Sequence, residues 1–580
     1  MNPSRFLRTV GFAFGAAAIG AAMPALSSAR GPGPGPTPPA HPNVVLIVLD
    51  DVGFADLGAY GSEIATPNID SLARDGLKYV RFDSKAICSA TRASLLTGRN
   101  NQTVRMEDLA SGKAVPDPTD LSASKGELPR NVETVAEALH RVGYSTTAIG
   151  KWHLAPEYDA LQGKLSWPLQ RGFDRFYGFL SGWTDQYRPK LVADNASIPT
   201  PTTPGYHFSV DITDHAIAAL DRQTQSPQFL YLAYGAAHSP LQVPKSYIDR
   251  YAARYDIGWD ALRAQRFARQ KKLGIIPAHT VLPPRGAGDR AWSSLGDQEK
   301  RVFSRFMATY AGFVTHTDEQ IGRLIDHLKR SGQYENTLFV LISDNGAASE
   351  GGQRGAFFKH YGDTTTVDEM AAHLDEIGGP TTLPLYQRPW AMAGVTPYRR
   401  YKLWPFAGGV RTPMIVAWPG RIGEVGGIRR QFVDAIDIAP TIVDIAHAPF
   451  SQSISGIRQI PVAGRSIRST FASSTARVRD VQFFELRGNR AVTVGKWRAV
   501  AMHRLDTDFA IDDWMLFDTQ KDPAETTDLA ATYPEKIKQL KQIWWNEARR
   551  YSNPPVTKPN AALYRFNHID DAFADESRPE

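Results

Sequence analysis

Residues 43–49 read Asn-Val-Val-Leu-Ile-Val-Leu, seven positions without a charge, all aliphatic after the first. A run with no polar alternation has no solvent face. It predicts a strand buried on both sides, as in parallel sheets covered by helices. Comparable runs lie at 146–149, 229–233, 338–343 and 414–418. Helical patterns fall between them. Residues 67–74 begin with proline, 132–142 precede the second run, and 298–328 space Phe303, Phe306, Tyr310, Phe313, Ile321, Leu324 and Leu328 near helical intervals. Strands alternating with helices predict an α/β fold with a large, mostly parallel sheet flanked by helices. The pattern changes near residue 450. Residues 481–485, 491–502 and 514–518 read as short antiparallel strands, and 534–551 as an amphipathic helix. The expected division is a main domain at 43–450 and a small α+β subdomain at 451–580. Residues 361–397 read as a long irregular loop near the active site.

The N-terminus has its own logic. Residues 1–29 read as a secretory signal: Arg5 and Arg8, an apolar stretch at 11–23, then Ser27-Ser28-Ala29 for cleavage. The apolar stretch is too short and too weakly hydrophobic for a membrane span. Residues 30–42 are a linker too rich in Pro and Gly to pack. An exported, periplasmic or secreted protein is expected, without stable membrane insertion. The net charge of +6 comes from dispersed Lys and Arg rather than a basic tract, which argues against nucleic acid and suits an anionic substrate.

Polar residues follow several apolar runs directly, where α/β sheets bind ligands. Asp50 and Asp51 follow the first run, and Asp344 and Asn345 follow the 338–343 run. A single Asp there usually caps a helix or closes a turn. Two such clusters offer four oxygen donors and three negative charges, a set for a hard divalent cation, calcium before magnesium. Lys151 and His153 lie two apart in Gly-Lys-Trp-His and face one way if the segment is extended. His238 sits in an Ala-Ala-His-Ser-Pro turn, and Lys402 precedes Gly408-Gly409-Val410-Arg411. Taken alone, Lys151 reads rather as a surface lysine and His153 as a packed histidine, and His238 has the alternative of a core histidine near a turn. His316, mid-helix, reads as structural. Cys88, the single cysteine, cannot form an internal disulfide. Arg92 lies one helical turn beyond it, so the two sit where a helix N-terminus handles negative charge.

The run Cys88-Ser89-Ala90-Thr91-Arg92, continuing to Thr97-Gly98-Arg99, resembles the signature of the type I sulfatases, C-x-P-x-R followed by T-G-R. Ala90 stands where proline is usual, a tolerated minority choice. The aspartate pairs, Gly-Lys-Trp-His, the Asp437-Ile438-Ala439-Pro440-Thr441 stretch and Asp522-Pro523-Ala524-Glu525 also fit. The resemblance covers nearly the whole chain after the linker and is strongest toward bacterial arylsulfatases of the alkaline phosphatase superfamily.

The resemblance implies that Cys88 is oxidised to formylglycine by a formylglycine-generating enzyme, and that the substrate is a small-molecule sulfate ester. It implies a cation held by Asp50, Asp51, Asp344, Asn345 and residue 88. A hydroxyl of the hydrated aldehyde would attack sulfur, with Asp344 taking its proton. Arg92 and Lys151 would hold the nucleophile, and Lys402 would bind sulfate oxygens. His238, with Lys402, would protonate the departing alcohol, and His153 would deprotonate the second hydroxyl to expel sulfate. The aromatics Trp167, Trp183, Tyr187, Tyr386 and Trp390 are expected to line the pocket. Two alternatives stand beside this reading: a phosphonate monoester or phosphodiester hydrolase of the same superfamily, and a non-catalytic sugar-binding relative with unmodified Cys88.

Overall fold

The computed structural model describes residues 41–110, 126–155, 164–222, 226–286, 288–358 and 363–552. The signal at 1–29 and nearly all of the linker lie outside them.

Ten strands form the main sheet: β1 (Asn43–Leu49), β2 (Gly76–Tyr79), β3 (Ser145–Lys151), β4 (Arg175–Phe179), β5 (Leu191–Ala193), β6 (Ala196–Ile198), β7 (Gln228–Ala233), β8 (Thr337–Ser343), β9 (Met414–Ala417) and β10 (Gly427–Arg429). Their spatial order is β10-β2-β9-β8-β1-β7-β3-β4-β5-β6. The central strands β8, β1, β7, β3 and β4 are mutually parallel. The apolar run of β1 is explained by its two faces. Val45, Ile47 and Leu49 enter one core, Val44, Leu46 and Val48 the other, and all six are buried. Each such side chain is worth roughly 1.5–3 kcal/mol when removed from water. On the first face pack α1 (Pro67–Asp75), α4 (Phe208–Leu220) and the 34-residue α5 (Asp297–Arg330). On the second pack α2 (Cys88–Thr97) and α3 (Val135–Arg141), the latter started by a capping box of Thr134 and Glu137.

β9 departs from the parallel pattern. It runs antiparallel to β8 and β2, with Met414 opposite Ile342 and Tyr79. Its apolar run gave no sign of direction. The reversal puts the start of β9, and the chain leading into it, at the edge where the parallel strands end.

Near the C-terminus β11 (Val481–Leu486), β12 (Asn489–Val494), β13 (Trp497–Ala501) and β14 (Trp514–Asp518) form an antiparallel meander. The stretch 491–502 is therefore two strands rather than one, reversed at Gly495 (φ 59). Helix α6 (Pro534–Tyr551) covers the meander through Leu540, Trp544 and Ala548. The described part of 361–397 also corrects the irregular loop: it holds helices Val367–Ala372 and Arg388–Gly394, the first capped by Thr366 and Glu369. Among the described residues no helix is long and apolar enough to cross a membrane.

Candidate active site

The parallel strands end on one edge, so the residues that follow them converge there. Asp50 N donates to Ala236 O at 2.9 Å and Asp344 N to Leu49 O at 3.1 Å, which ties the ends of β1, β7 and β8 together. Asp51 takes a left-handed φ of 60, which turns the chain at once and is tolerated by Asp. Both aspartates, Asp344 and Asn345 are completely or almost completely buried.

The charges are closely paired. Asp50 Oδ2 accepts from Lys151 Nζ at 2.6 Å. Asp344 Oδ2 accepts from Arg92 Nε at 2.9 Å and Nη2 at 2.7 Å. Arg92 also donates to Lys151 O at 3.1 Å and Tyr231 Oη at 3.3 Å, so this guanidinium grips the acidic cluster. Lys402 Nζ reaches Asp51 Oδ2 at 3.0 Å and Glu350 Oε1 at 2.9 Å. Asn345 Nδ2 donates to Asp51 Oδ1 at 2.5 Å.

Cys88 opens α2, whose ten residues are all buried. Its Sγ lies 3.1 Å from His153 Nδ1. Lys151 ends β3, but His153 has φ 55, so the two do not share an extended segment. They converge because the backbone turns between them. His238 Nδ1 donates to Ser239 O at 2.6 Å, which points Nε2 toward Asp51 Oδ2 at 3.6 Å and Glu350 Oε1 at 4.0 Å. The structure thus brings together Asp50, Asp51, Cys88, Arg92, Lys151, His153, His238, Asp344, Asn345 and Lys402. Glu350 was missed. It lies six residues beyond Asp344, on a loop with no signature of its own, and only the fold brings it to Lys402.

Burial dominates the site's electrostatics. It raises the carboxyl of Asp50 to about 7 despite Lys151, with Asp344 adding to the rise. It raises that of Asp51 despite Lys402. It pushes the Cys88 thiol up to about 11 although Lys151 and Lys402 pull it down. A thiol of this kind is protonated at neutral pH and is a poor nucleophile. Four acidic side chains (Asp50, Asp51, Asp344, Glu350) face three basic ones (Arg92, Lys151, Lys402). Asp50 Oδ1 and Asn345 Oδ1 are buried with no hydrogen-bond partner among the described residues. Ligand atoms of Asp50, Asp51 and His238 lie within 4.8 Å of one another. Excess negative charge and orphaned oxygen acceptors fit a hard divalent cation.

The aromatic lining needs correction. Trp390 is fully buried against Trp259 and Trp292, and Tyr386 stacks on Tyr310 at 4.2 Å; both are core. Trp183 is 41% exposed, next to Gly182 beside the His153 ring.

A buried cysteine ringed by lysines, histidines and a cation-ready carboxylate cluster, at the carboxyl edge of a helix-covered sheet, is an arrangement suited to hydrolysis of an anionic ester. The comparisons agree. The family model described as Sulfatase matches residues 42–448, and that of the N-sulphoglucosamine sulphohydrolase C-terminal region matches 401–549. An uncharacterised sulfatase of Schizosaccharomyces pombe is 32% identical over 532 residues, covering 87% of this chain and 92% of its own. An arylsulfatase of Klebsiella aerogenes is 30% identical, covering 77% and 95%. The crystal structure of Ps i-CgsB in complex with k-i-k-neocarrahexaose superposes with a TM-score of 0.61 at 21% identity, covering 93% and 100%, and shows a shared fold. The chain belongs to the sulfatase family, and its activity is sulfate ester hydrolysis.

Proposed function

We propose that the protein cleaves aryl-sulfate-like monoesters, using formylglycine made from Cys88 and one bound divalent cation, calcium before magnesium. The observation that carries this reading is the setting of Cys88. It stands at the centre of the charged cluster, yet burial holds its thiol protonated, so the encoded side chain is poorly suited to attack. Conversion requires a formylglycine-generating enzyme as maturation partner, and residues 1–29 favour export.

The hydrated aldehyde would supply one hydroxyl to attack sulfur and a second whose ionisation releases sulfate. The cation, held by Asp50, Asp51, Asp344, Asn345 and residue 88, would supply charge that draws sulfate oxygens. The chain's own residues do the rest. Lys151 and Lys402 hold anionic oxygens in a site that excludes water. Arg92 fixes Asp344 through Oδ2, so that Oδ1, 3.4 Å from Asp51 N, faces the site to receive a proton. His238 presents Nε2 to the leaving oxygen, and His153 Nδ1 receives the proton from the second hydroxyl.

Two measurements test the reading. Mass spectrometry of peptide 86–92 from active protein should show the loss of about 18 Da expected when thiol becomes aldehyde. Turnover of an aryl sulfate should exceed that of the matching aryl phosphonate. Full activity with unmodified cysteine removes the aldehyde, and faster phosphonate cleavage moves the enzyme to the alternative class.

A further inference from the structure

Lys402 is held at an unusual place. Arg400 (φ 60), two residues before it, and Leu403 (φ 77), directly after it, both adopt left-handed backbone, and leucine is poorly suited to it. Such conformations persist only where the surroundings over-determine them. Part of the constraint is local. Gly408 N donates to Arg399 O at 3.0 Å. A Cβ on Gly408 would lie 2.0 Å from Arg400 O, and one on Gly409 would lie 2.1 Å from Trp404 O. Lys402 N donates to Ala347 O at 3.1 Å and Leu403 N to Ala86 O at 2.8 Å, so the segment also touches the turn into Cys88.

The rest comes from the C-terminal subdomain. Glu525 is fully buried. Its Oε2 accepts from Ala407 N at 2.9 Å, and its backbone oxygen accepts from Arg399 Nη1 at 3.1 Å. These two bonds grip the Lys402 segment at both ends. Oε1 forms an ion pair with Arg498 Nε at 2.9 Å, and Arg498 Nη2 donates to Pro405 O at 2.5 Å. Arg498 belongs to β13, so the meander itself holds the clamp in place. Arg411 closes the network through Asp83, five residues before Cys88, at 2.9 Å. Glu525 ends the Asp522-Pro523-Ala524-Glu525 stretch, to which the catalytic reading gives no role.

We infer that Glu525, held by Arg498, is a positioning residue for Lys402: the C-terminal subdomain sets where this lysine enters the site. The inference rests on the reading of Lys402 as a sulfate-binding group. Glu525 touches no reacting atom. It acts by fixing the segment from which Lys402 reaches Asp51 and Glu350, and a displacement of about 1 Å at such a group can cost on the order of 100-fold.

A double-mutant cycle tests this on the full-length enzyme. Glu525→Ala should lower kcat/KM on an aryl sulfate by about 10- to 100-fold in the wild-type background, but by less than about 3-fold when Lys402 is already alanine. Leu540→Ala, in the α6 core of the same subdomain, controls for general destabilisation and should leave kcat/KM near wild type. If Glu525→Ala does not fold, Glu525→Gln, which keeps an acceptor for Ala407, should show a smaller loss that also vanishes in the Lys402→Ala background. Independent, additive losses overturn the inference. Inorganic sulfate binding, measured by calorimetry on the same variants, separates the two claims. A wild type that binds sulfate but cleaves no sulfate ester sinks the functional reading, while the cycle on affinity still decides the positioning role. A wild type that neither binds sulfate nor cleaves a sulfate ester removes both.

Discussion

His153 and His238 approach the site from different strands, and their hydrogen bonds separate their tasks. Nδ1 of His238 is spent on Ser239 O, so Nε2 faces the carboxylates of Asp51 and Glu350 at the pocket. His153 directs Nδ1 at the side chain of residue 88. Its ring lies against Gly182, where a Cβ would come within 2.9 Å of the imidazole. An acid matters most when the leaving alkoxide is a poor one. His238→Ala should therefore cost about 100- to 10,000-fold on alkyl or sugar sulfates and far less on nitrophenyl sulfate. His153→Ala should slow every substrate alike, because sulfate release no longer depends on the departed alcohol. Equal losses across leaving groups for His238→Ala would take the acid role from it and leave Lys402 as the candidate. The carboxylates make a second residue-scale prediction. Burial raises both Asp50 and Asp51, so their charged forms want a cation. Chelation should lower activity and the melting temperature together, and calcium should restore both. Activity and melting temperature indifferent to chelators would remove the cation from this site.

At the scale of elements, the ends of β8 and the Lys402 segment meet backbone to backbone. Gly346 N donates to Gly409 O at 3.0 Å, and a Cβ on Gly346 would lie 2.0 Å from Gly408 O. Gly346→Ala must push the Asp344–Asn345 end away from Lys402. It should destabilise by about 1–3 kcal/mol and cut kcat/KM further than that loss of stability explains. Thermal melts alongside kinetics at a permissive temperature check it; unchanged kinetics would show that the contact does not shape the site. The same elements show what a sequence can reveal. β1, β3, β7 and β8 were legible because burial on both faces erases polar alternation, and the acids and bases at their ends followed. The direction of β9 was not, because strand polarity is set by neighbours rather than by composition. The helix starting at Val367 could have been found, since Thr366-Val367-Asp368-Glu369 spells a capping box. Tyr386 and Trp390 were misplaced because an aromatic in a loop-like stretch reads the same whether it lines a pocket or plugs the core. Glu350 had no local signal at all: its role depends on a contact across 52 residues of chain.

At the scale of the whole molecule, the first core joins α4 to α5 through two histidines that fold in their neutral forms. His207 caps α4: Nδ1 accepts from Ser209 N at 3.2 Å while Nε2 faces Gln242 O at 3.2 Å, so a second proton has no acceptor. Its ring lies 4.4 Å from that of His316 in α5, which also meets Tyr247 at 4.8 Å. Burial depresses His207 to about 4, and burial with His207 nearby depresses His316 to about 2, in keeping with a structural His316. Both folded values lie below the unfolded value of 6.5. Their contribution to stability is therefore complete above pH 6.5 and is lost as pH falls, at about 1.4 kcal/mol per unit for each histidine. Asp318, raised to about 6 by burial, works in the opposite sense, so the net acid profile of the wild type does not isolate the pair. A variant does. His316 Nδ1 has no partner among the described residues, so His316→Phe removes an unsatisfied nitrogen from an aromatic nest. The variant should differ little from wild type at pH 7.5 and be more stable by about 2 kcal/mol at pH 5, the gap widening steadily below pH 6.5. Denaturant unfolding of both proteins across that range measures it. A gap that stays constant with pH would mean that His316 carries the same proton whether folded or unfolded, and that the junction of α4 and α5 does not set the acid limit of the fold.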